Sequence, residues 1–373
     1  MSDQEKSKKR TLTQSGRARR QFIGGTALAA AGTSAAMMMR GLPAMAADAP
    51  SAGSCPSTIP TPMKDVEGKV AFVTGGNSGI GLGIARAFVD AGMKVAITYR
   101  SKANLDEAMK YLEKAGDRVH AVSVDVTDRA ALDKAADEVV KVFGKVHAVV
   151  ANAGVAPFGG LSKASYDDWD WGISVNLNGV FNTIHTFLPR IQSHGEGGAV
   201  IATSSLAGLL GHSGAGVYTA SKFGVVGMME ALRFELAESN IAVSVFCPGI
   251  VTTNIGTSAR NRPAKAGASN PTMPARPPGG GLRPQGPPPG MDPLEAGQRV
   301  LKGMRNNDLY VLTTPDFEVD FKARGEAILA SLPTDVSPTD ARIALGHMIA
   351  GKMTYVAERD RKQCERAART KKA

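Results

Sequence analysis

Cysteine and aromatic residues are scarce in this chain of 373 residues, and no internal repeat is visible. The three cysteines, Cys55, Cys247 and Cys364, lie far apart and at no metal-ligand spacing. An odd number of widely spaced cysteines predicts neither a disulfide framework nor a metal site. Aromatic residues make up only 5% of the chain, which disfavours a β-sandwich and a nucleic-acid site built on base stacking.

Charge is also lacking where nucleic-acid binding would need it. The formal net charge is +10, but residues 1–46 and 357–373 supply all of it, and the charges between them cancel. The sequence therefore predicts no basic face on the folded body and no nucleic-acid partner. Hydrophobic residues make up 43% of the chain and charged residues 21%, a balance typical of a packed globular domain.

The first 46 residues have the features of an export signal. Arg19 and Arg20 precede a weakly apolar stretch from Phe22 to Met39, and Ala44-Met45-Ala46 offers small residues to a signal peptidase. The paired arginines resemble a twin-arginine (Tat) signal. We expect residues 1–46 to direct the protein to the periplasm or outside the cell, with no stable membrane span after cleavage.

Two alternatives stay open for this leader. A translation start near Met63 would leave a cytoplasmic protein without it, and an apolar stretch of about 18 residues can also serve as a membrane anchor. In the interpretation that we favour, residues 47–63 form a linker rich in Ala, Pro, Ser and Thr.

Apolar, β-branched runs alternate with helical stretches throughout residues 64–256. Such strands, uninterrupted by polar residues, predict a parallel sheet covered by helices on both faces, the doubly wound Rossmann-type α/β fold. The expected strands are 69–74, 94–99, 119–124, 146–151, 199–203 and 241–246, and the expected helices are 79–91, 104–115, 130–143, 171–193 and 215–239.

Residues 257–291 interrupt this pattern. Nine of the chain's 21 prolines fall between 263 and 289, which predicts an insertion that is a functional lid or lacks regular structure. Residues 292–373 then complete the same domain as a last strand and a C-terminal helical extension. The elements expected there are helix 293–304, strand 309–312 and helices 317–331 and 339–369.

A glycine-rich turn follows the first predicted strand and opens the first helix. Glycine lets the backbone approach a pyrophosphate, and the N–H groups at a helix N-terminus attract an anion. In a β-α-β unit this arrangement predicts a dinucleotide site. The residues expected to form it are Gly75, Asn77, Ser78, Gly79, Ile80 and Gly81.

The Gly-x3-Gly-x-Gly spacing of this turn resembles that of the short-chain dehydrogenase/reductase family, and further family motifs follow in order between Lys69 and Asn254. One departure is Ala151, where the family usually has a second asparagine. The matching positions are Asp125-Val126, Asn152-Ala153-Gly154, Asn176, Ser205, Tyr218-x3-Lys222, Pro248-Gly249 and Thr253.

The resemblance implies an NAD(P)-dependent oxidoreductase that interconverts a secondary alcohol and its ketone. It assigns Asp125 and Val126 to the adenine and Thr253 to the nicotinamide carboxamide. The other positions that it assigns to the cofactor are Asn152, Ala153, Gly154, Tyr218, Lys222, Pro248 and Gly249.

Tyr218 and Lys222 are four residues apart on a predicted helix, so their side chains share one face. A tyrosine with an ordinary pKa of about 10 is a weak base at neutral pH unless a nearby cation favours the phenolate. Lys222 and an oxidised nicotinamide are expected to supply that field. The resemblance implies that Ser205 binds the substrate oxygen and that Asn176 holds a water linked to Lys222.

The end of the second strand distinguishes NAD from NADP. An acidic residue there binds the ribose 2′-hydroxyl of NAD, whereas a guanidinium accommodates the 2′-phosphate of NADP. Here the position is Tyr99, followed by Arg100, so the sequence favours NADP with NAD as the alternative. The basic residue that would be a second NADP feature is absent, because the residue before Gly79 is Ser78.

Three stretches narrow the resemblance to the Cα-dehydrogenases of lignin-type aryl ethers: Tyr166–Trp171, Ser258–Lys265 and Tyr355-x3-Arg359-Asp360. That branch oxidises a benzylic secondary alcohol and has aspartate at the position of Tyr99. The resemblance therefore implies a bulky or aromatic secondary alcohol as substrate. It also implies a homodimer or homotetramer formed through residues 165–193 and 215–239.

An alternative function is a nucleotide-binding regulatory or scaffold protein on the same fold; the intact Tyr218 and Lys222 argue against it. Two other residue types, tryptophan and cysteine, receive structural interpretations. Trp169 and Trp171 are expected in the core, and Cys247 is expected to be buried and inert. For Cys55 and Cys364 we favour unpaired thiols, with a pairing in an oxidising compartment as the alternative.

Overall fold

A computed structural model describes residues 60–263, 290–349 and 352–370. The predicted leader 1–46, most of the linker and the stretch 264–289 of the insertion lie outside these residues. The predicted division into domains therefore stays a prediction at both of those places.

Seven parallel strands form one sheet in the order β3-β2-β1-β4-β5-β6-β7. The order reverses between β1 and β4, and in such sheets the ligand crevice lies at the carboxyl ends of the strands at this reversal. The predicted Rossmann-type fold is thus confirmed. The strands are β1 (Val70–Val73), β2 (Lys94–Tyr99), β3 (Val119–Ser123), β4 (Ala148–Ala151), β5 (Gly198–Thr203), β6 (Ile241–Cys247) and β7 (Tyr310–Leu312).

Helices connect the strands and cover both faces of the sheet. Ten α-helices fall within the described ranges: α1 (Gly79–Asp90), α2 (Lys102–Leu112), α3 (Arg129–Phe143), α4 (Tyr166–Ile173), α5 (Gly179–His194), α6 (Gly216–Glu235), α7 (Pro293–Asn306), α8 (Glu318–Ala330), α9 (Asp340–Ile349) and α10 (Lys352–Thr370).

The strands of the sheet centre are buried on both faces because each face packs against its own helix layer. On one face, Phe72 of β1 stacks on Phe187 of α5 with 4.2 Å between ring centroids. On the other, Phe88 of α1 and Phe246 of β6 are fully buried in a second apolar cluster. This two-sided burial explains why the strands are continuously apolar.

The structure divides the predicted helix 171–193 into three parts. A short helix, α4, begins at a capping box in which the Ser165 and Asp168 side chains each accept from the other's backbone N–H. A π-helical turn over Ser174–Asn178 then leads into α5. Such turns are rare and recur at functional sites. The predicted helix 339–369 is likewise divided, into α9 and α10.

Helix α7, the first helix after the insertion, packs directly on α1, the helix that follows the glycine-rich turn. A Cβ atom on Gly83 would lie 1.8 Å from the Pro293 carbonyl oxygen, and one on Gly297 would lie 2.2 Å from the Gly83 carbonyl oxygen. Neither clash could be relieved by a side-chain movement, because both involve backbone. The two glycines therefore allow α1 and α7 to touch.

Helices α8 and α9 differ from the rest because none of their described side chains is buried. Several are large and apolar, including Val319 at 76% exposure and Leu329 at 66%. One contact to the body is the Arg324 guanidinium, which lies 5.4 Å from the ring centroid of Phe223. No helix in the described ranges is long and apolar enough to cross a membrane.

Candidate active site

The glycine-rich turn forms one side of a cleft of about 780 Å³ at the carboxyl ends of the strands. A Cβ atom on Gly81 would lie 2.2 Å from the Gly75 carbonyl oxygen and 2.5 Å from Nδ2 of Asn152. Ser78 precedes α1 in an extended conformation and makes no capping hydrogen bond with its side chain. The first N–H groups of α1 therefore remain available to an anion in the cleft.

Two threonines that sequence reasoning missed hold this turn in place. Thr98 Oγ1 on β2 accepts from the Gly75 N–H at 2.9 Å. Thr74 Oγ1 accepts from the N–H groups of Asn152 and Ala153, at 2.8 and 3.0 Å. Their only sequence feature was a hydroxyl at the polar end of an otherwise apolar strand. Both are nearly fully buried, so these hydrogen bonds fix the turn against the loop that follows β4.

That loop carries the predicted Asn152-Ala153-Gly154 motif. Asn152 Nδ2 donates to the Thr74 carbonyl at 3.0 Å, and its Oδ1 accepts from Thr203 Oγ1 at 3.1 Å. The asparagine side chain therefore ties the carboxyl ends of β1 and β5 together. Ala151, the departure from the family pattern, is buried in the sheet.

The far end of the cleft carries an ion pair. Arg100 donates to Oδ2 of Asp125 at 2.9 Å, while Oδ1 accepts from the N–H and hydroxyl of Thr127. Burial raises the pKa of Asp125, but these hydrogen bonds outweigh it and hold the pKa below its usual value. Tyr99, Arg100, Asp125 and Val126 all line this part of the cleft.

Tyr218 and Ser205 come together at the inner end of the cleft. Ser205 follows β5 and caps a short 3-10 turn by accepting from the Ala207 N–H at 3.1 Å. Burial raises the pKa of Tyr218, and a hydrogen bond with Ser205 partly opposes it. Ser205 is thus beside the phenol, as the resemblance implied. The raised pKa means that any favouring of the phenolate must come from added positive charge.

Lys222 lies one turn further along α6 and is 3% exposed. Its ammonium donates to the Thr203 carbonyl at 2.9 Å and lies 5.6 Å from the Tyr218 ring centroid. Burial lowers the pKa of Lys222 to about 8. Among the described residues it forms no ion pair, so its charge is not neutralised by a carboxylate.

Asn176 lies in the π-helical turn and is fully buried. Its Oδ1 accepts from the Val155 N–H at 2.8 Å, and its Nδ2 donates to the Val155 carbonyl at 2.9 Å and to Ser221 Oγ at 3.1 Å. The side chain therefore braces the loop after β4 and the helix that carries Tyr218. A water bridge from Asn176 to Lys222 stays a prediction.

The opposite wall of the cleft follows β6 and starts with Pro248-Gly249. The Gly249 N–H donates to Thr313 Oγ1 at 2.8 Å, and Thr253 lies against Gly79 of the turn. Apolar side chains project around the mouth: Ile250 is 61% exposed, and the Phe158 ring centroid is 6.1 Å from that of Tyr218. The residues expected to touch a cofactor thus line one continuous cleft.

A nicotinamide dinucleotide fits this cleft. Its pyrophosphate would meet the free N–H groups of α1, where any side chain on Gly81 would collide with backbone. Its adenosine end would meet Arg100 and Asp125, and its nicotinamide would lie between Thr253 and Tyr218. The fit rests on the glycine cradle and on the uncapped helix end.

Outside the cleft, His147, His194 and Glu196 meet at the amino end of the sheet, with one possible ligand atom of each within 4.8 Å of the others. Lys145 and Lys69 both pair with the Glu196 carboxylate. Both nitrogens of each histidine ring make hydrogen bonds. The group is therefore a satisfied polar network rather than an open metal site.

Two predictions outside the cleft are wrong and two are confirmed. Trp169 is 42% exposed rather than in the core, whereas Trp171 is buried. Cys364 is disulfide-bonded rather than unpaired, and Cys55 lies outside the described residues. Cys247 is a fully buried free thiol whose pKa burial raises to about 12, as expected of an inert cysteine.

Comparison with known proteins agrees with the geometry. The family model described as "short chain dehydrogenase" matches residues 69–264. The C alpha-dehydrogenase of Sphingobium sp. is 36% identical over 307 residues, which cover 80% of this chain and 99% of that relative.

Two solved structures extend the similarity. A short-chain dehydrogenase from Novosphingobium aromaticivorans has a TM-score of 0.65 and 33% identity, with 80% of this chain and 100% of that chain covered. A short-chain dehydrogenase/reductase from Burkholderia phymatum, in complex with NAD, has a TM-score of 0.64 and 30% identity, with 74% and 99% covered.

Proposed function

Because the chain belongs to the short-chain dehydrogenase family, we propose that Tyr218 is the acid–base group of an alcohol dehydrogenase that acts on a bulky or aromatic secondary alcohol. The chain is an NAD(P)-dependent oxidoreductase that interconverts an alcohol and its ketone. The observation that carries the proposal is the convergence of Ser205, Tyr218 and an unneutralised Lys222 at the inner end of the cleft.

In the oxidation direction, the alcohol proton moves to the Tyr218 oxygen as the carbinol carbon loses a hydride. An oxidised nicotinamide held between Thr253 and Tyr218 would supply the hydride acceptor and positive charge near the phenol. Ser205 donates to or accepts from the substrate oxygen and keeps it beside Tyr218. The Lys222 ammonium, held by the Thr203 carbonyl, stabilises the phenolate through its field. Reduction of a ketone runs through the same groups in reverse.

The mouth of the cleft supports an aromatic or bulky substrate. Phe158, Ile250 and Ile255 line the cleft with apolar surface, and Ile250 and Ile255 are exposed. Exposed apolar side chains at a cleft mouth gain stability when an apolar ligand covers them. The similarity to a C alpha-dehydrogenase supports the same substrate class.

We also propose that the cofactor is preferentially NADP. No carboxylate ends β2, and the guanidinium of Arg100 is held at the adenosine end by Asp125. The guanidinium is also 41% exposed, so it can reach a ligand. Both features favour a 2′-phosphate.

An oligomer is the proposed assembly, and the unpacked helices α8 and α9 support it. Helices of 13 and 10 residues are marginal in water when they bury nothing. A second copy of the chain that covered their apolar side chains would remove this cost. Size-exclusion chromatography with light scattering is the test, with Leu329→Glu expected to lower the mass.

Export through the Tat route is proposed from the leader and from Cys364. A disulfide at Cys364 is the chemistry of an oxidising compartment. Fractionation of cells that express the full chain is the test. Substitution of Arg19 and Arg20 by lysine should retain the protein in the cytoplasm, whereas export that persists in this variant contradicts the proposal.

The activity is tested by following nicotinamide absorbance with NAD⁺ or NADP⁺ and a panel of aryl and aliphatic secondary alcohols. Tyr218→Phe removes the proton acceptor and should lower kcat by about 10²- to 10⁴-fold. Tyr166→Phe is the matched control, because Tyr166 is 91% exposed on α4 and away from the cleft. Equal activity of the two variants would contradict the role of Tyr218.

A further inference from the structure

The wall of the cleft after β6 is fastened to the body at its far end by buried polar contacts. Its near end is tied to the start of α7, since Met291 and Ile250 share a hydrogen bond of 2.9 Å. Its middle part forms the 3-10 turns of Asn254–Asn261. We call residues 250–262 the substrate wall.

One attachment is Ser258, which is 2% exposed. Its Oγ accepts from the Ala156 N–H at 2.8 Å. Ala156 follows Val155, the residue whose backbone is braced by Asn176. The substrate wall is therefore linked to the loop that borders the catalytic residues.

The second attachment is an ion pair between Arg262 and Asp168, with 2.5 Å between guanidinium nitrogen and Oδ1. Their side chains are 6% and 13% exposed. The same guanidinium lies 5.4 Å from the ring centroid of Trp171. Asp168 and Trp171 both belong to α4, so Arg262 fastens the substrate wall to that helix.

Asp168 holds its position independently of Arg262. Its Oδ2 accepts from the Ser165 N–H and hydroxyl at 3.0 and 2.8 Å, which completes the capping box of α4. Helix α4 in turn packs against α6, the helix that carries Tyr218. A change in the ion pair therefore affects the attachment of the wall more than the position of Asp168.

A buried ion pair responds asymmetrically to change. While both charges are present they neutralise each other, but removal of one leaves the other desolvated and without the opposite charge of this pair. The substrate wall can relieve that cost by moving away from α4 so that the remaining charge reaches water. The Ser258 hydrogen bond would still restrain the wall, whereas the polar contacts of Arg260 and Thr257 lie within the wall itself and move with it.

We propose that Arg262 and Asp168 form a clasp that holds the substrate wall closed against α4 and thereby determines how well a bulky alcohol binds beside Tyr218. Both are positioning residues that act through the wall: Arg262 lines the cleft, and Asp168 holds its guanidinium. The substrate part of this proposal rests on the proposed function. The closure itself does not.

Hydrogen–deuterium exchange of the full chain tests the closure without any assay of activity. Arg262→Met and Asp168→Asn should each speed exchange of peptides within 250–262 by about tenfold. Exchange in β1 and α1 should be unchanged. Arg299→Met is the control, because its ion pair with Glu295 at 2.8 Å is exposed on α7. Unchanged exchange in the wall of both clasp variants overturns the proposal.

Kinetics test the effect on substrate with 2-phenoxy-1-phenylethanol and the smaller 1-phenylethanol. Each single variant should raise KM for the bulky alcohol by about tenfold while kcat and the nucleotide dissociation constant change less than about threefold. The double variant should be no worse than either single one, since one clasp is lost in each case. Additive effects, or an equal loss of nucleotide affinity, would overturn it.

A wild-type protein that turns over neither alcohol would count against the proposed substrate class. The exchange measurement would still decide whether the clasp exists. Faster exchange in the wall with unaltered KM would show that the ion pair closes the wall but does not govern substrate binding, which overturns the functional half of the proposal.

Discussion

The two ends of the parallel sheet treat charged side chains in opposite ways. At the amino end, the Glu196 carboxylate is shared by Lys69, Lys145 and His147. At the carboxyl end, Lys222 is buried with a backbone carbonyl as its hydrogen-bond acceptor and with no ion pair to any described residue. One end balances its charges, whereas the other keeps a cation without a counterion.

The difference separates stability from function. Balanced charges stabilise a fold modestly and leave no field behind. An unbalanced buried cation is destabilising, as the pKa of about 8 for Lys222 records, but its field remains available to a neighbouring phenol. Strongly shifted groups in a cleft are typical of functional sites.

Replacement of Lys222 by methionine removes the unpaired cation and is expected to have the largest effect on the difference between the two ends of the sheet. Activity should fall by about 10²- to 10⁴-fold, because the phenolate loses its cation. Stability should nevertheless rise at pH 7 by on the order of 2 kcal/mol. The lowered pKa of Lys222 means that its buried charge destabilises the fold, by about 1.4 kcal/mol for each pKa unit. Loss of the hydrogen bond to Thr203 offsets about 1 kcal/mol of the gain in stability.

The measurement is chemical denaturation beside kinetics, with Lys145→Met as the matched control. Lys145 pairs with Glu196 at the balanced end, so its loss should lower stability slightly and leave kcat unchanged. A Lys222→Met variant that is less stable than Lys145→Met would show that the buried ammonium stabilises the fold after all.

The carboxyl end of the sheet also has a paired charge, Arg100, which can be compared with the unpaired Lys222. Arg100 is balanced by Asp125, but the pair is partly exposed, so a ligand phosphate can compete for the guanidinium. Arg100→Ala should raise KM for NADP⁺ by about tenfold and change KM for NAD⁺ by less than about twofold. Arg86→Ala is the control, since Arg86 lies over the Tyr111 ring. Equal losses for both cofactors would contradict NADP preference.

The amino end should show itself in the pH dependence of stability. Desolvation lowers the pKa of His147 despite its bond to Glu196. His147 therefore binds a proton near pH 6.5 in the unfolded chain but only at lower pH in the folded chain. The stability of the fold thus falls as pH drops below about 6.5. In His147→Gln this loss should be smaller, whereas the exposed His212→Gln should keep it. Thermal unfolding at several pH values is the measurement.

A second loss of stability, at more acidic pH, is expected from protonation of Glu196. Hydrogen bonds from Lys145 and His147 lower the pKa of Glu196 to about 2. Its contribution to stability is present above about pH 4.5 and is lost as pH falls towards 2. Glu196→Gln should remove this phase while leaving activity at neutral pH unchanged. Persistence of the acidic phase in this variant would assign it to other carboxyl groups.

Local patterns in the sequence were sufficient for the sheet and for the nucleotide turn. Apolar runs predicted all seven strands, and the i, i+4 spacing placed Tyr218 and Lys222 on one face. Helix α4 was not predicted as a separate helix, because its eight residues are too few for a clear periodicity. For the same reason Trp169 was wrongly placed in the core. Short elements of this kind are defined by their caps rather than by their pattern.

Contacts between distant residues could not be predicted in the same way. Arg262 and Asp168 are 94 positions apart, and nothing local marks them as partners. The contacts of the threonines that hold the glycine-rich turn were equally hard to predict, because a hydroxyl at a strand end has many possible roles. The resemblance supplied the order of the motifs, but the clasp and the threonine contacts needed the fold.

The glycine contact between α1 and α7 links the nucleotide side of the cleft to its substrate side. The chain leaves the body at the clasp and returns where α7 is pressed on α1. Met291, just before α7, donates its N–H to the Ile250 carbonyl of the substrate wall. A side chain on Gly83 or Gly297 would force α7 away from α1 and would thereby shift the substrate wall as well.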